Sequence, residues 1–377
     1  MSGRPMFGHV GNRSAPGGKA FIPKGLRTPI ACGAGLGAKL NPAGGKDKDF
    51  GMLLVTGGAG FIGSNVVAAL NDAGRSDVAV CDILGSDGKW RNLAKRQLAD
   101  FVPPSELMGW LHGRRLDAII HLGAISSTTA TDGDLVMDAN FKTPLRLLDW
   151  CTATATPLIY ASSAATYGDG EQGFDDDGSV EALKRLRPMN LYGWSKNLFD
   201  IALAERAARG EKLPPQWAGL KFFNVFGPNE YHKGTMMSVL ARRFDDIKAG
   251  RPVQLFKSHR EGIADGDQRR DFIYVDDVVR VTMWLLATPH VSGLFNVGTG
   301  TARSFRDLML AAYAALGTKP NIQYIDMPEA IRGSYQYFTQ SEVDRLLRAG
   351  YNGGFTALED AVETYVKNFL NRTDRFR

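Results

Sequence analysis

Cysteine is scarce in this chain: three among 377 residues, Cys32, Cys81 and Cys151, far apart and with no CxxC pair. That spacing suits neither a disulfide framework nor a zinc site, so a reducing setting and no bound metal are the expectation. Long apolar runs are missing too. Nothing approaches the roughly 20 uninterrupted apolar residues a membrane-spanning helix needs, and no charged start leads into a short apolar run with a cleavage site. A soluble, cytoplasmic protein is therefore expected, with no membrane partner. Basic charge is lacking over most of the length. The net charge is +5, but residues 1–50 hold eight Lys/Arg against Asp47 and Asp49, which is +6 and leaves the remainder at −1. No nucleic-acid partner is expected from so nearly neutral a body. Internal repeats are also absent.

What is present falls into two parts. Residues 1–51 are rich in Gly and Pro, basic and without apolar periodicity, so a disordered extension is predicted. A flexible arm, a targeting presequence and an early start with Met52 as initiator all fit it. From Met52 onward, apolar strand-like runs alternate with helical periods, the pattern of a parallel sheet covered on both faces. Strands are predicted at Met52–Thr56, Val78–Asp82, Ala118–Leu122, Leu158–Ser162 and Gly219–Asn224. Helices are predicted at Phe61–Ala73, Leu135–Ala153, Leu191–Ala208, Thr235–Ala249, Val275–Leu286, Phe305–Leu316 and Phe355–Leu370. The fold class read from this is α/β: a Rossmann-type doubly wound parallel sheet followed by a smaller mixed α/β carboxyl-terminal domain. The dinucleotide domain should span 52–225, with segments around 270–298 returning to it, and 226–377 should mainly bind substrate.

Two motifs carry chemistry. Thr56-Gly57-Gly58-Ala59-Gly60-Phe61-Ile62-Gly63 lies between the first strand and first helix, the context a dinucleotide fingerprint requires. Gly57 permits the tight turn, Gly60 lets backbone approach a pyrophosphate and Gly63 allows close helix packing, while the helix N-terminus offers amides to the anion. Asp82 ends the second strand, where a carboxylate ordinarily takes the adenosine ribose hydroxyls; with Lys89 seven residues on, the residues leave NAD and NADP both open. Further along, Tyr192-Gly193-Trp194-Ser195-Lys196 puts a phenol and an ammonium one turn apart on a helix face. A phenol lowered in pKa by a neighbouring cation can take the proton of a sugar hydroxyl during hydride transfer. Ser162 and Ser163 stand upstream at a strand end, completing a Ser/Tyr/Lys set. His121 precedes the Gly123 turn and is read as a packed strand residue.

On these residues, most of 52–370 resembles the extended short-chain dehydrogenase/reductase family, whose glycine spacing is GxxGxxG, and within it the nucleotide-sugar epimerases that act on heptose. The segment Lys221-Phe222-Phe223-Asn224-Val225-Phe226-Gly227-Pro228, followed by His232-Lys233-Gly234-Thr235, carries the narrower likeness. The resemblance implies C6 epimerisation of an ADP-heptose, a homo-oligomer (a pentamer), and NADP as cofactor with Lys89 answering its 2′-phosphate. It implies Ser163, Tyr192 and Lys196 as the triad, with Lys196 also holding the nicotinamide ribose, and Lys233 as a second acid/base. It also implies cofactor contacts at Gly57, Gly60, Phe61, Ile62, Gly63, Asp82, Gly123, Ala124, Ile125, Ser126, Asn140 and Val225. Substrate contacts are implied at Asn224, Thr235, Arg242, Arg270 and Tyr335, the arginine suited to diphosphate by its forked donors. Leu122 replaces the family's acidic residue, Phe295–Gly300 is read as structural, and the insertion SHREGIADGDQ (258–268) stands where the family has a shorter substrate loop, so no contacts are carried over there. The rival readings are a UDP-hexose 4-epimerase and a non-catalytic dinucleotide-binding protein; a 4,6-dehydratase is disfavoured because Ala164-Ala165 offers no acid/base pair after Ser163.

Overall fold

A continuous apolar stretch bounded by turn residues can form a strand only if both its faces are covered, and Leu53, Leu54 and Val55 of the first strand are fully buried. The computed structural model describes residues 51–332 and 335–377. The proposed extension therefore lies outside the described residues, apart from Gly51, whose carbonyl accepts from Arg75 at 2.8 Å. Seven parallel strands form the main sheet: β1 (Met52–Thr56), β2 (Val78–Cys81), β3 (Asp100–Val102), β4 (Leu116–His121), β5 (Leu158–Ser163) and β6 (Trp217–Phe222), joined by the late β10 (Gly293–Val297). Their order is β10-β6-β5-β4-β1-β2-β3. The direction of winding reverses between β1 and β4, so a crevice opens there at the carboxyl ends of the strands, where such sheets bind ligands.

Two smaller sheets lie beyond it. β7 (Asn224–Phe226) runs parallel to β9 (Arg269–Tyr274), which pairs antiparallel with β11 (Ala302–Ser304), while β8 (Val253–Phe256) pairs with β12 (Ile322–Ile325). Each predicted strand and helix has a counterpart, but β3, β8–β12 and short helices such as Val180–Arg185 form where none was predicted, and several predicted elements are divided or shifted. β3 escaped notice because three residues are too few to show an alternation. The fifth predicted strand breaks at Phe223, whose amide donates to Val297, and Asn224 then leaves for a different sheet. The helix predicted from Thr235 starts at Val239, capped by Ser238, because Gly234 takes φ 54° and interrupts the turn before it. The Leu135–Ala153 helix is divided by a wide turn at Asp138–Lys142, which buries Asn140.

Two helices set the crevice. The first, Phe61–Asp72, starts at Gly60 and packs against the 275–287 helix, which carries Asp276 and Asp277 in its own first turn, the electropositive end of a helix. The other, Leu191–Ala208, is capped by Asn190, whose Oδ1 accepts from the Gly193 amide at 2.9 Å. Beneath it sits a fully buried ion pair. Asp200 takes Lys221 Nζ at 2.9 Å, Ser162 Oγ at 2.6 Å and Tyr160 OH at 3.0 Å, so one carboxylate joins that helix to β5 and β6. Lys221 thus works below the crevice and donates also to Thr166.

Removing one member strands a charge away from water. Asp200→Ala is expected to lower unfolding free energy by about 3–5 kcal/mol, whereas pairing Asp200→Asn with Lys221→Met should recover much of that loss in urea unfolding.

Candidate active site

Backbone approach comes first in building the crevice. Gly57 has φ 67°, and a Cβ there would lie 2.6 Å from the Gly123 amide nitrogen; at Gly63 it would lie 2.1 Å from the Gly57 carbonyl oxygen. Only hydrogen fits at either position, so the first helix docks its N-terminus onto the loop and leaves amides facing the crevice. This is a cradle for a pyrophosphate, and the cleft beyond it measures about 890 Å³, in the range of small-molecule and cofactor sites.

At the adenosine end, Asp82 is already engaged. Its carboxylate accepts from the Ala59 amide at 2.8 Å and the Ile83 amide at 2.7 Å, and Lys89 Nζ reaches it at 2.5 Å. Asp82 therefore fixes the shape of the glycine loop and anchors Lys89 as well as bordering the cleft. Gly123, Ala124, Ile125 and Ser126 form the wall opposite. Asn140, expected among the cofactor contacts, is fully buried and spends its amide on both backbone groups of Ile125 and on Ser195, at 2.9–3.0 Å. It braces the wall from behind instead of touching the cleft, because the wide turn points it inward.

At the reacting end, Ser163, Tyr192 and Lys196 come together on the cleft lining. Ser163 stands close enough to the Tyr192 phenol to oppose the rise in its pKa and accepts from the Ala165 amide at 3.1 Å, while Ser162 is committed to Asp200. The two serines thus have different surroundings. Lys196 Nζ donates to the Ala161 carbonyl at 2.9 Å, and burial brings its pKa down to about 8, opposed by Asp200. The Tyr192 phenol behaves differently from expectation: burial raises it above its ordinary value, with Ser163 opposing and Asp200 adding to the rise. Desolvation of a phenolate outweighs what these side chains return.

Lys233 enters from the segment after β7. Burial lowers its pKa, with Glu230 opposing, and its ammonium lies 5.2 Å from the centre of the Phe61 ring. Among the described residues its ammonium has no hydrogen bond or ion pair, while its backbone amide donates to the Glu230 carbonyl at 3.0 Å. Phe61, Ile62, Val225, Asn224 and Thr235 also line the cleft. Arg270 lies between Phe305 and Tyr335, its guanidinium carbon 5.6 and 5.3 Å from their ring centres, and donates to the carbonyls of Arg269 and Gln336. Arg242 stands exposed on the Val239–Lys248 helix and outside the lining. Sequence reasoning missed Asp200, although its place one turn after Lys196 was a usable signal, and missed the lining residues Met236, Met237 and Phe305, which carry no motif, and Gln336, the neighbour of Tyr335.

His121 is buried, with Nδ1 2.7 Å from Thr56 Oγ1, consistent with a packed strand residue. Asp271, in the motif around Arg270, is structural: it takes the amides of Thr299, Gly300 and Ser341. Among the described residues no His/Cys/Asp/Glu group is placed to hold a metal, and no helix is long and apolar enough to cross a membrane.

Residues 53–298 match the NAD dependent epimerase/dehydratase family. The chain belongs to that family. Within this epimerase/dehydratase family it is 47% identical, over 86% of its length and 100% of the relative, to ADP-L-glycero-D-manno-heptose-6-epimerase of Nitratidesulfovibrio vulgaris strain DP4. It is 44% identical, with the same coverage, to the protein of that name in Fusobacterium nucleatum. Among solved structures it resembles Helicobacter pylori ADP-L-glycero-D-manno-heptose-6-epimerase, with 26% identity, TM-score 0.70, and 85% and 96% of the two chains covered. It also resembles Thermus thermophilus UDP-glucose 4-epimerase in complex with NAD, with 26% identity, TM-score 0.66, and 84% and 97% covered. The family and the cradle agree on a nicotinamide dinucleotide.

Burial, followed by the charge of Lys196, pushes the His121 imidazole down to about 3. An unfolded chain binds its proton near pH ~6.5, so between those values the unfolded state holds more protons and stability falls as pH drops, by up to ~1.4 kcal/mol per pH unit. Urea midpoints taken from about pH 7 to about pH 4 should show that slope, and His121→Asn should flatten it.

Proposed function

We propose that the protein epimerises ADP-D-glycero-β-D-manno-heptose to ADP-L-glycero-β-D-manno-heptose at C6, supplying heptose for lipopolysaccharide core. The observation that carries this reading is the place of Lys233, which borders the same cleft as Ser163, Tyr192 and Lys196 with its ammonium free of hydrogen bonds among the described residues. The names of the relatives support the heptose over a hexose.

A bound nicotinamide dinucleotide supplies the acceptor and donor of hydride, and the glycine cradle, the Gly123–Ser126 wall and Lys196 would hold it. The Tyr192 phenolate, its own proton having passed to solvent, takes the proton of the C6 hydroxyl of one epimer, with Ser163 hydrogen-bonding the same oxygen. Rotation of the resulting ketone about its bond to the ring presents its other face, and Lys233 Nζ then gives the proton to the new alkoxide. Working backwards the two residues exchange roles, so neither epimer lacks a base. Lys196, its pKa brought down to about 8, keeps a positive charge beside Tyr192 below that pH and eases the phenolate's formation. Asn224, Thr235 and Tyr335 would orient the heptose and Arg270 the diphosphate; Arg242, implied by the resemblance, stands outside the lining and has no part in this reading.

NADP is the cofactor in this reading, with Lys89 turning from Asp82 to the 2′-phosphate; NAD is the alternative. A cytoplasmic location and a homo-oligomer, a pentamer by the family likeness, complete the proposal. The domain division at 225/226 belongs to it as well, with β10 returned to the first half.

Incubation of the protein with ADP-D-glycero-D-manno-heptose and with UDP-galactose, separately and without added cofactor, is the direct test. Conversion of the heptose alone is expected; turnover of UDP-galactose alone would replace this reading with a hexose 4-epimerase. Tyr192→Phe and Lys233→Ala should each lower turnover by about 10²-fold or more while bound cofactor remains. Loss of a charge-assisted contact at Lys89→Ala should weaken NADP by about ten- to a hundredfold and leave NAD nearly unchanged, as titration of the stripped protein would show.

A further inference from the structure

The segment that carries Lys233 is held from outside by residues of no recognised motif. Asn229 is fully buried in the left-handed region, φ 73°. A non-glycine residue takes that conformation at some cost and keeps it only when its surroundings demand it. Its Oδ1 accepts from the Arg377 amide at 3.0 Å, its Nδ2 donates to Ser64 at 3.0 Å, and its carbonyl accepts from Asn92 at 3.1 Å. Two residues on, Tyr231 OH donates to the Arg375 carbonyl at 2.8 Å, and its ring packs edge-on against Phe376 at 5.3 Å.

The segment Asp374–Arg377 is itself fastened on several sides. The Arg377 guanidinium meets Asp276 and, at 3.7 Å, Asp72. It also reaches Asn65, the residue that holds the Pro228 carbonyl at 3.0 Å. Lys95 donates to the Phe376 carbonyl at 2.7 Å and pairs with Asp374 at 2.6 Å, and Arg375 pairs with Asp245 at 2.8 Å. Ordering such a segment costs roughly 1–2 kcal/mol per residue in backbone entropy, so these ties act against fraying. They converge on Asn229 and Tyr231, either side of Glu230. Glu230 closes the loop from within, through the Gly227 amide at 3.3 Å and the Ser238 hydroxyl at 2.8 Å.

We propose that Asp374–Arg377 is a positioning strap that fixes the Asn229–His232 segment on the dinucleotide-binding half of the cleft and so sets where the Lys233 ammonium stands. The proposal rests on the acid/base reading of Lys233 and adds residues that touch neither substrate nor cofactor. A displacement of about 1 Å at a reacting group can cost up to a hundredfold in rate, which is the lever such a strap would hold.

The test compares the full chain with a variant lacking residues 375–377, with Phe376→Ala, and with Arg377→Lys. The deletion should lower kcat on ADP-heptose by roughly ten- to a hundredfold, with KM within about twofold and cofactor retained, and should speed amide exchange across 229–236. Phe376→Ala should show both effects more weakly, and decides the matter if the deletion fails to fold. Arg377→Lys should keep most activity. In a Lys233→Ala background the deletion should cost less than about twofold more, because the two act as one unit. Unchanged exchange across 229–236 in the variants would overturn the proposal even if ADP-heptose proves not to be the substrate. Faster exchange with undiminished kcat would overturn the positioning role alone.

Discussion

A single carboxylate under the cleft organises the catalytic end of this protein. Asp200 binds a lysine from one strand and hydroxyls from the next while sitting on the helix that presents Tyr192 and Lys196. In a low-dielectric interior an arrangement of this kind holds only when each polar partner is satisfied. Asp200 meets that condition, so the register between the helix and strands β5 and β6 is set by chemistry as well as by packing. The same negative charge acts at short range on the groups above it, supporting the protonated form of Lys196 and resisting ionisation of Tyr192. The resting site is therefore a neutral phenol beside a lysine near the edge of its titration, and the proton can move once a positive charge is brought close.

The opposite end depends on how near backbone can come to backbone. Gly57 and Gly63 let the first helix approach its own loop to a distance that excludes a methyl group. Asp82 then locks the loop through the Ala59 amide. Between these ends Lys233 arrives on a segment belonging to neither. Chain that departs from the main sheet at Phe223 runs past the cleft and is pinned by Asn92, Ser64 and the last residues of the chain. Reactive groups on separate elements can be adjusted separately, which suits a reaction whose oxygen must be protonated on either side of one carbon.

Much of this was readable as pattern. The parallel sheet followed from apolar runs alternating with helical periods; the phosphate cradle from three glycines between a strand and a helix; the Tyr192 and Lys196 pair from a spacing of four, which puts two side chains on one helix face whatever the surroundings. These are local properties, decided within about ten residues of chain by steric and conformational rules. Likeness to the epimerase family added Ser163 and Lys233, at places the structure then brought onto the same cleft.

Other features depend on residues far apart in sequence, and no local rule reaches them. That Asn140 would turn away from the cleft was decided by a wide helical turn and by Ser195, 55 positions later. That Asp82 would be occupied by Ala59, or Lys221 by Asp200, was decided by packing. Even the sign of the Tyr192 shift belongs here, since a spacing of four names the neighbour that lowers a pKa but not the burial that raises it. The sequence by itself determined which chemical groups the protein can bring to a reaction; tertiary structure decided which are free to use, because desolvation and the pairing of polar groups exist only once the chain has folded around them.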